Sequence, residues 1–190
     1  MKKLVIFLVL CAMGYTVHAQ RFNRYRFDPD WKVSVGVNAV GNLGTRNPVE
    51  KLGDYGFQFP LAVALEHQWT EQWALEQDIT LNGFKEGRFL DNGVPSENLT
   101  YFSTNTSAKF YFSDYLFELD WLDLFAKGGL GIFYMDELNT SINFSGGALF
   151  WISEDVGVSL QTTGKFAMGA RNRQYANNHW QHVLQVVFRL

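Results

Sequence analysis

Eight segments of about ten residues, each alternating apolar and polar side chains, follow one another along this chain, and a period of two is the signature of strands. From Trp31 to Val40 the odd positions Trp31, Val33, Val35, Val37 and Ala39 are apolar, against Lys32, Ser34, Gly36 and Asn38. The pattern returns at Phe57 to His67, Trp73 to Phe84, Tyr101 to Phe112, Leu124 to Met135, Ser141 to Trp151, Val156 to Met168 and His179 to Leu190. Gln77 is the exception on an apolar row. Eight such segments suit an antiparallel all-β fold. They admit a soluble sandwich or lipocalin-like barrel with the apolar face inward, or an up-and-down transmembrane barrel with that face outward.

Charge sorting favours the second arrangement. Lys32, Glu66, Glu76, Asp78, Lys109, Lys127, Lys165 and Arg189 all fall on the polar face, and the apolar face is almost free of charge between strand ends. The connections point the same way. Those at 41–56, 85–100 and 169–178 are long and polar, as external loops are, whereas 68–72 and 152–155 are short turns. A short external loop at 136–140 and a longer turn at 113–123 break the rule. Tryptophan adds an independent sign, because aromatic side chains collect at membrane interfaces. With both chain ends on the periplasmic side, Trp31, Trp69, Trp73, Trp121 and Trp151 form a girdle at that rim, with Trp180 at the outer one. The expected fold is therefore an all-β, eight-stranded antiparallel up-and-down transmembrane β-barrel.

The first residues have their own logic. Lys2 and Lys3 precede an apolar run from Leu4 to Met13, and Val17 and Ala19 stand at −3 and −1 of a secretory cleavage site. The run is too short to span a bilayer. The expected division is a signal peptide at 1–19, a periplasmic arm at 20–30 containing the basic, aromatic stretch Arg21 to Phe27, and a barrel at 31–190. Cleavage removes Cys11, the only cysteine, so no disulfide contributes to stability. Sixteen basic residues against 19 acidic ones, with no block of like charge, make nucleic acid an unsuitable partner. A slightly negative mean hydropathy excludes a helical membrane bundle.

Leu119 to Tyr134, Gly146 to Ala167 and His179 to Leu190, with the stretch WKVSVGVNAVGNLGT near the start, resemble the amino-terminal barrel of OmpA-family outer-membrane proteins of Bacteroidetes, especially flavobacteria. The resemblance covers most of the mature chain and rests on glycine, aromatic and turn residues. It implies a barrel, not an activity. Many relatives carry a peptidoglycan-binding domain after the barrel. This sequence stops at Leu190, so cell-wall tethering is not carried over. Leu184, Val186, Phe188 and Leu190 form the alternating apolar ending of an outer-membrane assembly signal, with leucine where phenylalanine is commoner, implying the barrel assembly machinery as a partner.

The interior of an eight-stranded barrel is just wide enough for its own side chains, so acids and bases inside should pair. Lys32, Glu66, Glu76, Asp78, Lys109, Lys127 and Arg189 are the expected lumen ion network. The same groups suit a narrow ion path, which keeps a small pore as the alternative. His182 faces lipid near the outer rim and raises a third reading, a lipid-modifying enzyme, although no His-x-Ser pair accompanies it. No zinc spacing, nucleotide-binding glycine motif or nucleophile elbow occurs, so no metal, cofactor or catalytic residue is expected. Gly128, Gly129, Gly131, Gly146 and Gly147 fit barrel curvature rather than phosphate binding. Apolar residues interleaved with acids at 113–123 suit the membrane interface or an envelope protein partner. The leading expectation is a non-enzymatic envelope barrel in contact with outer-membrane lipid and lipopolysaccharide.

Overall fold

The computed structural model describes residues 28–41, 48–49, 52–90, 93–117, 119–169 and 174–190; the expected leader and the stretch Arg21 to Phe27 lie outside them. Eight strands, β1 (Asp30–Val40), β2 (Leu61–Gln68), β3 (Trp73–Phe84), β4 (Leu99–Tyr111), β5 (Leu122–Met135), β6 (Glu137–Trp151), β7 (Val156–Ala167) and β8 (His179–Arg189), pair antiparallel in chain order. β8 returns to β1, with Val35 opposite Val186, and the barrel closes. Closure leaves no edge strand with unpaired backbone groups. The start of β1 and the end of β8 lie at one mouth, and the three longest connections lead off at the other.

Two boundaries differ by four residues from the sequence expectation, and the others by two or fewer. β2 starts at Leu61 rather than Phe57, because Pro60 has no N–H to give to a ladder. Asn38 and Asn82 take over there: the Asn38 amide donates to the Leu61 and Leu81 carbonyls, and the Gln58 N–H donates to Asn82 Oδ1. The loop expected at 136–140 shrinks to Asp136, since Met135 already pairs with Glu137. Asp136 makes this turn with φ of 65°, a conformation that aspartate tolerates better than most side chains.

Alternation sorts the side chains as expected, apolar outward and polar inward. Val35, Val63, Leu65, Leu75, Ile79, Leu130, Ile132, Phe144, Leu160 and Leu184 are exposed on the outer face, while Ser103, Asn105, Ser107, Asn143, Gln161 and Gln185 are buried. Two apolar layers cap the polar interior. At the long-loop mouth, Leu90, Tyr175 and Ala176 fold in from the loops against Val40, Phe84, Tyr101, Phe133 and Met135. At the terminal mouth, Tyr111, Phe125, Leu149, Trp151 and Val187 form the floor.

The expected girdle needs one correction. Trp31, Trp69, Trp73 and Trp121 are exposed at the terminal end, but Trp151 is only 7% exposed and belongs to the floor. It follows Phe150, an outward residue, so alternation turns it inward. Trp180, near the other mouth, lies half-buried over Gly164, its register partner on β7. The alternating ending also divides: Leu184, Val186 and Phe188 face outward on β8, and Leu190 lies just past it with its N–H on the Trp31 carbonyl.

Gly131 shows how the interior limits the wall. A Cβ there would stand 2.0 Å from Asn105 Oδ1, an atom that accepts from Asn143 Nδ2 at 2.8 Å. Gly131→Ala is expected to destabilise the barrel by about 1–3 kcal/mol through overpacking. Asp136→Val should cost about 1–2 kcal/mol at its left-handed turn, and Asp136→Gly should cost nothing. Urea unfolding midpoints of the refolded variants check all three.

Candidate functional site

The most concentrated chemistry lies inside the barrel, above the floor. Strand register sets Glu66 of β2 directly opposite Glu76 of β3, both buried. Two facing carboxylates repel, and burial makes each costlier still. Lys109 reaches across from β4 and resolves the conflict, with Nζ 2.6 Å from Glu66 Oε2 and 3.3 Å from Glu76 Oε2. Each glutamate takes a second lysine on its other oxygen. Lys32 is 2.9 Å from Glu66 Oε1, and Lys127 is 2.5 Å from Glu76 Oε1. Charge therefore alternates along Lys127, Glu76, Lys109, Glu66 and Lys32.

Aromatic and amide groups complete this chain. Tyr111 donates to Glu66 Oε1 at 2.7 Å, and Lys32 also donates to Gln68. Lys109 Nζ stands 4.1 Å from the Phe125 ring centre and 4.9 Å from that of Tyr111, so the floor rings face the cation with their electron-rich sides. At the mouth, Lys32 stands opposite Arg189 on β8, and Asp30 bridges the two like charges at 3.2 and 2.8 Å.

Arg189 thus occupies a different place from the one expected. Its side chain is 37% exposed, stacks 4.4 Å over the Trp151 ring, and donates to the Glu154 carbonyl. It caps the terminal mouth instead of filling the lumen, because it is the last residue of β8. Trp151 in turn donates to Asp123 Oδ2 at 2.6 Å.

Asp78 is also set apart. Among the described residues it makes no ion pair; Asn105 Nδ2 donates to it at 2.5 Å. The other end of Asn105 accepts from Lys165 at 3.1 Å and from Asn143, so one amide mediates between a buried acid and a buried base. Lys165 also donates to Ser103. A cavity of about 10 Å³ lies in this layer, no more than a single water fills.

Asp30, Gln68 and Tyr111 are members that the sequence reading omitted, and it left Lys165 out of the network. Alternation does signal Tyr111, which lies between the outward Phe110 and Phe112. Asp30 falls in the expected arm, yet it shares the parity of Lys32 two residues on, so alternation signals its face; only its contact with Arg189 depends on barrel closure.

His182 faces outward, but both ring nitrogens are engaged. Nε2 donates to the Pro48 carbonyl at 2.7 Å, which leaves Nδ1 to accept from the Thr162 hydroxyl at 2.8 Å. Tyr55 stacks on the ring and donates to the same carbonyl, and burial raises its phenol above the ordinary value. The ring is thus oriented by a carbonyl on one nitrogen and a hydroxyl on the other. His179 is similarly occupied by Asn177 and Tyr101, and His67 stacks on Trp31. Among the described residues no group of His, Cys, Asp and Glu is placed to hold a metal.

A scan against protein-family models and a search of curated proteins each gave no match. Solved structures do match. The amino-terminal β-barrel domain of Pseudomonas aeruginosa OprF aligns with a TM-score of 0.52 at 12% identity, over 84% of this chain and 97% of that domain. Neisserial surface protein A gives 0.52 at 14% identity, over 85% and 96%. The Pseudomonas aeruginosa outer membrane protein OprG gives 0.54 at 8%, over 85% and 95%. The fold is therefore that of the small OmpA-like eight-stranded barrels.

The ion chain predicts a thermodynamic pattern. Glu76→Ala leaves Lys127 without its ion-pair partner and is expected to destabilise the barrel by about 3–5 kcal/mol. Glu71→Ala, on an exposed turn, should cost less than about 0.5 kcal/mol. Replacing Glu76 and Lys127 together by methionine should recover most of the loss, as equilibrium unfolding in lipid vesicles would register.

Proposed function

We propose that this chain is a non-enzymatic integral outer-membrane barrel whose ion-paired interior seals it, and that it serves the cell envelope as a structural or accessory component. The observation that carries this reading is the reversal of polarity between wall and interior: charge is inside, in ion pairs or hydrogen bonds, and aliphatic surface is outside. No helix among the described residues is long and apolar enough to cross a membrane; the crossing is made by strands. The polar groups on the outer wall support the same view, since they satisfy one another. Gln77 donates to Thr104 and accepts from Thr106, and Thr162 bonds to His182.

Residues 1–19 act as the signal peptide, and both mature ends lie in the periplasm with the residues between the cleavage site and β1 as the arm. The alternating ending through Leu190 engages the barrel assembly machinery, and the turn at 113–123 faces the periplasm, where it meets the membrane interface or an envelope partner. The OmpA-like fold supports this placement, as do the exposed tryptophans at the terminal rim.

Sealing distinguishes this role from a pore. Two apolar layers flank the polar interior, and the cavity beside Asp78, Asn105 and Lys165 between them holds about one water. Purified barrel in planar bilayers is expected to show no steady conductance. A steady ion-selective current that changes with Glu76→Gln would overturn the structural role in favour of transport. For topology, Val94→Cys should react with a membrane-impermeant maleimide on intact cells, and Glu71→Cys only after the outer membrane is opened. The reverse pattern would invert the orientation.

A further inference from the structure

A second, unrelated site lies at the long-loop end. The loop between β1 and β2 and the loop between β3 and β4 enclose a cavity of about 170 Å³, lined by Asp54, Phe57, Lys85, Arg88 and Phe89 among others. Arg88 is held in place there, since its Nη1 donates to the Gly53 carbonyl at 3.1 Å. The rim is unusually greasy for a loop region: Phe57 is 60% exposed and Phe89 63%. Exposed apolar residues around a cavity with convergent charges mark a binding site rather than a solvated loop.

The composition of the site identifies its ligand class. Lys85 and Arg88 supply cationic donors suited to phosphate oxygens. The apolar rim does not end at the cavity. Phe57 and Phe59 continue the row of Leu61, Val63 and Leu65, and all five are exposed, so apolar side chains follow one another from the cavity lining to the outer wall. A free sugar phosphate or nucleotide has no use for that strip. A lipid carrying phosphate does, because its acyl chains lie along the wall while its headgroup sits at the cavity.

We infer that the cavity between these two loops binds the phosphorylated headgroup of an outer-leaflet lipid, with Lys85 and Arg88 holding the phosphate and Phe57 and Phe89 flanking the first carbons of its chains. This rests on the outer-membrane placement and orientation proposed above and names a lipid that the outer leaflet would present to this site. Asp54 opposes the phosphate and tunes the affinity downward.

The test is titration of the purified barrel, in phosphatidylcholine nanodiscs, with diphosphoryl lipid A, followed by native mass spectrometry. The double variant Lys85→Gln, Arg88→Gln should bind at least about tenfold more weakly. Phe57→Ser should also weaken binding, and Asp54→Asn should tighten it by about threefold, a sign that only an anionic ligand gives. Fully dephosphorylated lipid A should bind no better to wild type than diphosphoryl lipid A binds to the double variant. Equal binding of dephosphorylated lipid, an unchanged double variant, or weaker binding by Asp54→Asn would each overturn the assignment. Displacement of lipid A by equimolar inorganic phosphate would overturn it in favour of a free anion site. Unchanged unfolding midpoints show that the variants fold. Nanodisc binding does not depend on cellular orientation, which the cysteine labelling reads separately.

Discussion

Glu66 and Glu76 face each other across neighbouring strands, and an interior built around two opposed carboxylates holds only if a cation stands between them. Lys109 is that cation. Once it is there, Lys32 and Lys127 neutralise the outer oxygens, Asp30 extends the chain to Arg189, and the rings of Tyr111 and Phe125 give the central ammonium a favourable floor. Six neighbouring strands, β8 and β1 to β5, are tied through one row of charges. Breaking a buried pair is costly because the surviving charge has no water to turn to, so the row specifies register as well as stability. A slip of one residue in any of these strands would put a charge on the outer wall.

The same physics acts in reverse on the outside. A wall facing lipid has no water to satisfy stray polar atoms, and Gln77 is tolerable there because Thr104 and Thr106 occupy both ends of its amide. His182 follows this rule at the loop end, where Pro48 and Thr162 use its two nitrogens. Both contacts satisfy polar ring atoms that would otherwise lie bare on the outer wall. The Lys85 and Arg88 cavity differs in kind, since its charges lie exposed beside apolar residues instead of being consumed in pairs.

Much of this was legible in the sequence, and the reason is the period of the strand. Because side chains alternate strictly, Lys32, Glu66, Glu76, Lys109 and Lys127 could be assigned to one face residue by residue, and β3 could be bounded at Trp73 and Phe84. The misplacements came where alternation was not followed to its consequence. Trp151 was grouped with the other tryptophans by its height along the barrel, although its parity turns it inward. Phe57 and Phe59 continued the alternating row of β2, but Pro60 ends the ladder before them.

What the sequence by itself determined is the face of each residue and the number of strands, since both follow from local chain geometry and an alternating pattern. Which residues on the inner face meet was decided by the tertiary structure. Asp30 bridging Lys32 and Arg189 joins the first strand to the last, and Lys165 reaches Asp78 only through Asn105. Those contacts depend on register and closure around the whole barrel, and neither is a property of any one segment. The loop cavity is decided in the same way, because it exists only where two connections from different strand pairs come to lie side by side.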